Sequence, residues 1–101
     1  FQFNLQELGT CYQYGISPIV LVFNDNAWGS TRLRQQDNFG GRYIGTGLEN
    51  PDFVKVAKAF NVNGLSAKSL PELCNALEES MKSKSACVIE IPTPKGFDLF
   101  N

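Results

Sequence analysis

The segment Pro18-Ile19-Val20-Leu21-Val22-Phe23-Asn24-Asp25-Asn26-Ala27-Trp28-Gly29 holds the longest apolar run of the chain and the polar turn that ends it. Ile19 to Phe23 are apolar without interruption and rich in β-branched side chains, the composition of an extended strand. Being apolar on both faces, they predict a central parallel strand with helices packed on either side. Asn24-Asp25-Asn26 predicts a turn, because short polar side chains that bond their own backbone compete with the ladder.

Helical signals lie on both sides of this strand. Upstream, Asn4 with Glu7 three residues on predicts an N-cap and a variant capping box. The apolar face of that helix is Leu5, Leu8, Cys11 and Tyr12, and Gly15 ends it. Downstream, residues 27–36 read as a short helix or an irregular turn, and residues 39–48, with four glycines, read as a loop. Asn50 as cap, Pro51 at the first helical position and Asp52 predict a helix burying Phe53, Val56, Ala57 and Phe60. A short strand is predicted at 63–67. Ser69 and Glu72 form a second capping box, opening a helix with the face Leu70, Leu73, Leu77 and Met81. The last predicted strand is 86–91, stopped by Pro92 and Pro94.

This alternation of helices and strands predicts an α/β fold with a parallel sheet in three layers. Three strands of this kind leave a long hydrophobic edge, and the first element is a helix with no strand before it. The expectation is therefore a partial fold whose strands continue upstream of Phe1.

With 101 residues, 43% hydrophobic and 19% charged, the chain is sized for one soluble domain at most. The formal net charge is −1 and no basic stripe is present, which argues against nucleic acid and anionic membrane surfaces as partners. No apolar run is long enough to span a bilayer, and no signal-peptide pattern opens the chain. The absence of histidine removes His-based triads and most zinc sites. Cys11, Cys74 and Cys87 stand apart, as small apolar residues in a reducing, intracellular compartment would.

In open α/β sheets ligands bind beyond the carboxyl ends of strands, where Asn24 to Gly29 is predicted to lie. The segment offers a carboxylate, carboxamides and turn carbonyls, hard oxygen ligands suited to Mg²⁺ or Ca²⁺. A helix start at Asn4 would add free N–H groups for an anion. From residue types alone two readings stay open, a cation site beside a diphosphate site or a turn with no further role. Arg32, Arg34 and Arg42 suit a carboxylate or phosphate, or a solvated surface. Phe39-Gly40-Gly41-Arg42 lacks the spacing and the Lys-Ser or Lys-Thr end of a phosphate loop.

Phe1-Gln2-Phe3-Asn4-Leu5-Gln6-Glu7-Leu8, Tyr14-Gly15 and Pro18 to Gly29 together resemble the thiamine-diphosphate-binding domain of the acetolactate synthase, benzoylformate decarboxylase and pyruvate oxidase family. Tyr43-Ile44-Gly45, Asn50-Pro51-Asp52-Phe53, Phe60 and Val88-Ile89-Glu90-Ile91-Pro92 extend the likeness over nearly the whole chain. The resemblance implies a partial thiamine-diphosphate-binding domain over residues 1–101, with Mg²⁺ and thiamine diphosphate as cofactors. Some relatives also carry FAD, a question left open. In the family Mg²⁺ is held by the aspartate of a Gly-Asp-Gly triplet, by a side chain of a polar pair, and by a carbonyl two residues later. Carried over, the pair's side chain is Asp25, where Asn is more usual, and the carbonyl is that of Ala27. The triplet would precede Phe1. Trp28 and Thr31 align with positions facing the cofactor or substrate; for Trp28, packing over the turn is the alternative.

The resemblance further implies a parent enzyme that decarboxylates a 2-oxo acid and passes the remaining unit to a proton or a second carbonyl. Acetolactate-synthase-like carboligation leads, and simple decarboxylation follows. No residue of this chain is assigned a catalytic role, because the activating glutamate of the family belongs to another domain and Glu7 reads as a helix-start residue. The isolated chain is expected to be inactive. A homo-oligomer and a cytoplasmic setting, or an organelle, are expected from the family. The alternative is a truncated, non-catalytic copy that acts, if at all, as a subunit-interaction module.

Overall fold

In a computed structural model the described residues are 1–94, so the last seven residues of the expected 1–101 domain lie outside them. Four α-helices and three strands follow in the order α1 (Glu7–Tyr14), β1 (Ile19–Asn24), α2 (Gly29–Phe39), α3 (Phe53–Ala59), β2 (Asn63–Ser66), α4 (Leu70–Ser83) and β3 (Cys87–Pro92). A single 3-10 turn, Gln2–Asn4, precedes them. The chain divides into two compact units.

The first unit, residues 1–23 and 51–92, is a three-layer α/β arrangement around a parallel sheet of order β1-β3-β2. β2 pairs with β3 in parallel register, from Asn63 opposite Cys87 to Ser66 opposite Glu90. β3 supplies the middle of the core because its side chains alternate between faces. Val88 points toward α1 and α3, among Leu8, Val22, Phe53, Ala57, Val62 and Ala86. Cys87 and Ile89 point toward α4, with Ala67, Ala76, Leu73 and Leu77. A Cβ added at Gly64 would stand 2.7 Å from the Val54 carbonyl oxygen, so only glycine lets β2 lie this close to α3.

Five local expectations need correction. β1 is not central; β3 is, and β1 stands at the edge of the described sheet. Val22 is buried, but Leu21 and Phe23 on the other face are 40% and 63% exposed. An apolar run on both faces does not say which neighbour covers each face. Asn4 caps nothing: it closes the 3-10 turn through its N–H on the Phe1 carbonyl, and Leu5 and Gln6 are already helical before α1. The cap of α3 is Asp52, whose carboxylate accepts the Lys55 N–H at 3.1 Å, two residues after the expected Asn50. Asp52 can take the extended conformation a cap requires, and Asn50 is engaged elsewhere. On α4, Leu73 and Leu77 face the sheet as expected, but Leu70 and Met81 are 72% and 70% exposed and Ala76 and Ser80 are buried in their place. Small residues permit close approach to the sheet, so the buried stripe is displaced from the largest side chains. On α1, Leu8 and Cys11 pack as expected while Tyr12 is exposed.

Of the two readings left open for residues 27–36, short helix or irregular turn, the structure has the helix, running from Gly29 to Phe39. Other expectations hold. Ser69 caps α4 by accepting the Glu72 N–H, while the Glu72 carboxylate reaches back to the Lys68 N–H at 2.6 Å. No helix among the described residues is long and apolar enough to cross a membrane.

Candidate functional site

The second unit, Asn24–Asn50 with Thr93 and Pro94, contains the polar turn at the carboxyl end of β1. Asn24 is buried, and its side-chain oxygen accepts the Asn26 N–H at 3.1 Å and the Asn50 carboxamide N–H at 2.7 Å. One atom thus ties the start of the turn to the end of the loop that follows. The Asn24 carbonyl accepts the Thr93 N–H at 2.9 Å. Asp25, half-buried, accepts the Ala27 N–H on Oδ1 at 3.1 Å. Asn26 takes a left-handed φ of 51°, a conformation Asn tolerates better than most residues. Two overlapping side-chain-closed turns therefore shape residues 24–27, as the composition predicted.

Ala27 pairs with Gly47 in an isolated antiparallel bridge. The flanking bonds run from the Trp28 N–H to the Thr46 carbonyl at 2.9 Å and from the Leu48 N–H to the Asn26 carbonyl at 2.8 Å. In such a non-hydrogen-bonded pair the N–H and C=O of Ala27 point away from Gly47. The N–H goes to Asp25, and the carbonyl faces away from Gly47. Gly29 sits close beneath, where an added Cβ would come within 3.1 Å of Asp25 Oδ2.

The turn therefore holds a carboxylate and, two residues on, a backbone carbonyl not paired with Gly47. Asp25 has one oxygen engaged by a single N–H, and a carboxylate accepts about four such contacts, so it retains capacity for a cation. Both donors are hard oxygens, which fit Mg²⁺. Trp28 is 58% exposed among the described residues. Thr31 is exposed as well. The Arg32 guanidinium lies 3.7 Å from the centre of the Tyr43 ring, and Arg42 Nε donates to the Phe39 carbonyl. Both arginines thus have partners within the unit. No cluster of three or more His, Cys, Asp or Glu side chains is assembled among the described residues.

Gln35 and Asn50 were missed as site residues. Gln35 bonds the Ile44 backbone and Asn50 donates its carboxamide to Asn24, contacts that neither capping signals nor the Asn50-Pro51-Asp52-Phe53 motif indicates.

The described strands form a parallel α/β sheet, the class of fold in which ligands bind beyond the carboxyl ends of strands. The family model described as "Thiamine pyrophosphate enzyme, C-terminal TPP binding domain" matches residues 1–91, and the chain belongs to this family. It is 36% identical over 85 residues to the acetolactate synthase large subunit of Porphyra purpurea, covering 81% of this chain and 14% of that protein. It is 32% identical over 95 residues to the mitochondrial acetolactate synthase catalytic subunit of Saccharomyces cerevisiae, covering 94% of this chain and 14% of that protein. Among solved structures, benzoylformate decarboxylase from Polynucleobacter necessarius superposes with a TM-score of 0.87 at 26% identity, over 97% of this chain and 18% of that one. The chain thus spans less than a fifth of the length of these relatives.

Proposed function

We propose that the chain is the diphosphate-anchoring part of a longer thiamine-diphosphate-dependent enzyme acting on a 2-oxo acid, with acetolactate-synthase-like carboligation as the leading reaction and simple decarboxylation second. The observation that carries the reading is the turn at Asp25 and Ala27, lying within the residues matched by the family model and offering two hard oxygen donors. Asp25 would hold Mg²⁺ through its carboxylate and Ala27 through its carbonyl. The ion would bridge them to the diphosphate, and Trp28 would border the cofactor. When bound, thiamine diphosphate supplies the electron sink for the decarboxylation.

The chain's own contribution is to place and hold. The Asn24 amide and the Ala27–Gly47 bridge fix the turn before any cation arrives, so little ordering is left to be done on binding. Asp25 balances part of the charge of the ion, which in turn offsets the diphosphate. The identities of the second substrate and of any further cofactor such as FAD would be set by residues outside this chain, as would a homo-oligomeric assembly.

Titration calorimetry of the complete protein with Mg²⁺ and thiamine diphosphate tests the reading. Asp25→Ala is expected to raise the Mg²⁺ half-saturation by more than about 100-fold, beyond the range typical of residues that only support a ligand. If wild-type protein shows no binding at millimolar cofactor, the enzyme reading gives way to the non-catalytic one. If binding occurs but its Mg²⁺ dependence survives Asp25→Ala, the ligand assignment is wrong.

A further inference from the structure

The turn carrying Asp25 and Ala27 is not held by its own side-chain bonds alone. Its outer half is fixed by the loop strand at residues 46–48, through the Trp28 and Leu48 N–H bonds on either side of Ala27. What fixes that strand is therefore as important as the turn itself.

Gln35, half-buried on α2, answers this. Its side-chain Nε2 donates to the Ile44 carbonyl at 2.9 Å, and its Oε1 accepts the Ile44 N–H at 3.1 Å. A carboxamide that meets both polar groups of one residue imitates a strand neighbour, and it sets both position and orientation of that peptide. Ile44 is 82% exposed, so packing of its own side chain is not what holds the loop there. Gly45 follows at a φ of 66°, turning the chain sharply. The next residue is Thr46, 2% exposed, whose hydroxyl lies 3.5 Å from Gln35 Oε1 and whose carbonyl receives the Trp28 N–H. Only two peptide units separate the Gln35 clamp from the bond that sets Trp28 and, beside it, the Ala27 carbonyl.

From this geometry we infer that Gln35 is a positioning residue for the metal-diphosphate turn, acting through Ile44 and Thr46 on the direction of the Ala27 carbonyl. The inference rests on the metal reading of Asp25 and Ala27. It adds a residue that touches neither ion nor cofactor and that no spacing rule singles out. Mg²⁺ is sensitive to such support because it demands near-octahedral geometry, so a carbonyl displaced by a few tenths of an ångström is a poorer ligand.

The test uses the complete protein and compares wild type, Gln35→Leu, Gln35→Glu and Asp25→Ala. Gln35→Leu keeps most of the side-chain volume and removes both bonds. It is expected to raise the Mg²⁺ half-saturation for thiamine diphosphate binding, read by calorimetry, by about 10- to 100-fold. Gln35→Glu retains the acceptor for the Ile44 N–H and loses the donor, and is expected to fall between. Amide exchange in the cofactor-free protein gives a readout independent of loading. The Trp28 and Leu48 amides should exchange faster in Gln35→Leu, while the β3 amides keep their protection. If Asp25→Ala abolishes Mg²⁺ dependence but Gln35→Leu leaves both Mg²⁺ half-saturation and Trp28 exchange at wild-type values, the inference fails and the metal reading stands. If Asp25→Ala leaves Mg²⁺ dependence intact, the metal reading fails and the inference falls with it. Loss of β3 protection in both Gln35→Leu and Gln35→Glu marks a role in folding and likewise overturns it.

Discussion

At the scale of single residues, Asp25 poses the sharpest question, because the proposed metal ligand is a carboxylate and not a carboxamide. A carboxylate attracts Mg²⁺ more strongly than a carboxamide does, but it also adds a negative charge beside a diphosphate, which only the ion offsets. The two effects oppose each other and are separable by experiment. Asp25→Asn keeps an oxygen donor at the same reach. It is expected to raise the Mg²⁺ half-saturation by about 10-fold, the low end for a change in metal support, while leaving cofactor affinity at saturating Mg²⁺ unchanged or tighter. Calorimetric titrations of thiamine diphosphate at several fixed Mg²⁺ concentrations would resolve the two; weaker cofactor binding at saturating Mg²⁺ would mean that Asp25 is not beside the diphosphate. The side-chain-closed turn at residues 24–27 was legible from the sequence because Asn and Asp bond their own backbone two residues on. The support was not. Gln35 lies eleven residues before Thr46, on a different element, and reaches its target through backbone atoms that carry no residue identity.

At the scale of elements, the alternation of helices and strands was legible throughout, and the errors concentrate at ends and faces. Ser69 with Glu72 was read correctly because both partners of a capping box are side chains at a fixed spacing. Asn50 was misread because Asn, Pro and Asp in succession offer two possible caps, and tertiary bonding to Asn24 decided between them. The buried stripe of α4 was displaced because close packing favours Ala76 and Ser80 over larger neighbours. The C-terminal ends of three helices show a related contrast. Gly15 follows α1 at a φ of 64°, Asn61 follows α3 at 59°, and Lys84 follows α4 at 51°. The first two residue types accept the left-handed region readily; Lys does not. The strain at Lys84 is about 1–2 kcal/mol, partly offset by the greater flexibility that glycine would bring to the unfolded chain, about 0.5–1 kcal/mol. Lys84→Gly is therefore expected to stabilise by about 0.5–1 kcal/mol. The Lys84 carbonyl that receives the Ser17 hydroxyl at 3.0 Å is main chain and survives the change. A urea midpoint that falls in the variant would show that the lysine side chain contributes more than the strain removes.

At the scale of the whole molecule, the donor count decides what these residues accomplish alone. Mg²⁺ takes about six oxygen ligands in near-octahedral order. The turn offers one carboxylate and one carbonyl, and no trio of His, Cys, Asp or Glu is assembled among the described residues. Even with two diphosphate oxygens, water would have to complete the shell, and the ion would be held no better than by a half-buried carboxylate with one backbone partner. The chain also spans only 18% of the length of the solved benzoylformate decarboxylase whose fold it shares. The 101-residue chain alone is therefore expected to show no turnover of any 2-oxo acid and to bind thiamine diphosphate more weakly than about 1 mM, a free energy of roughly 4 kcal/mol. Calorimetry on the chain and on the complete protein, under the same Mg²⁺ concentration, checks both halves of that statement. Submicromolar binding by the chain alone would mean that the turn and its Gln35-held loop suffice as a cofactor site, and the ligands assigned here would need to be recounted.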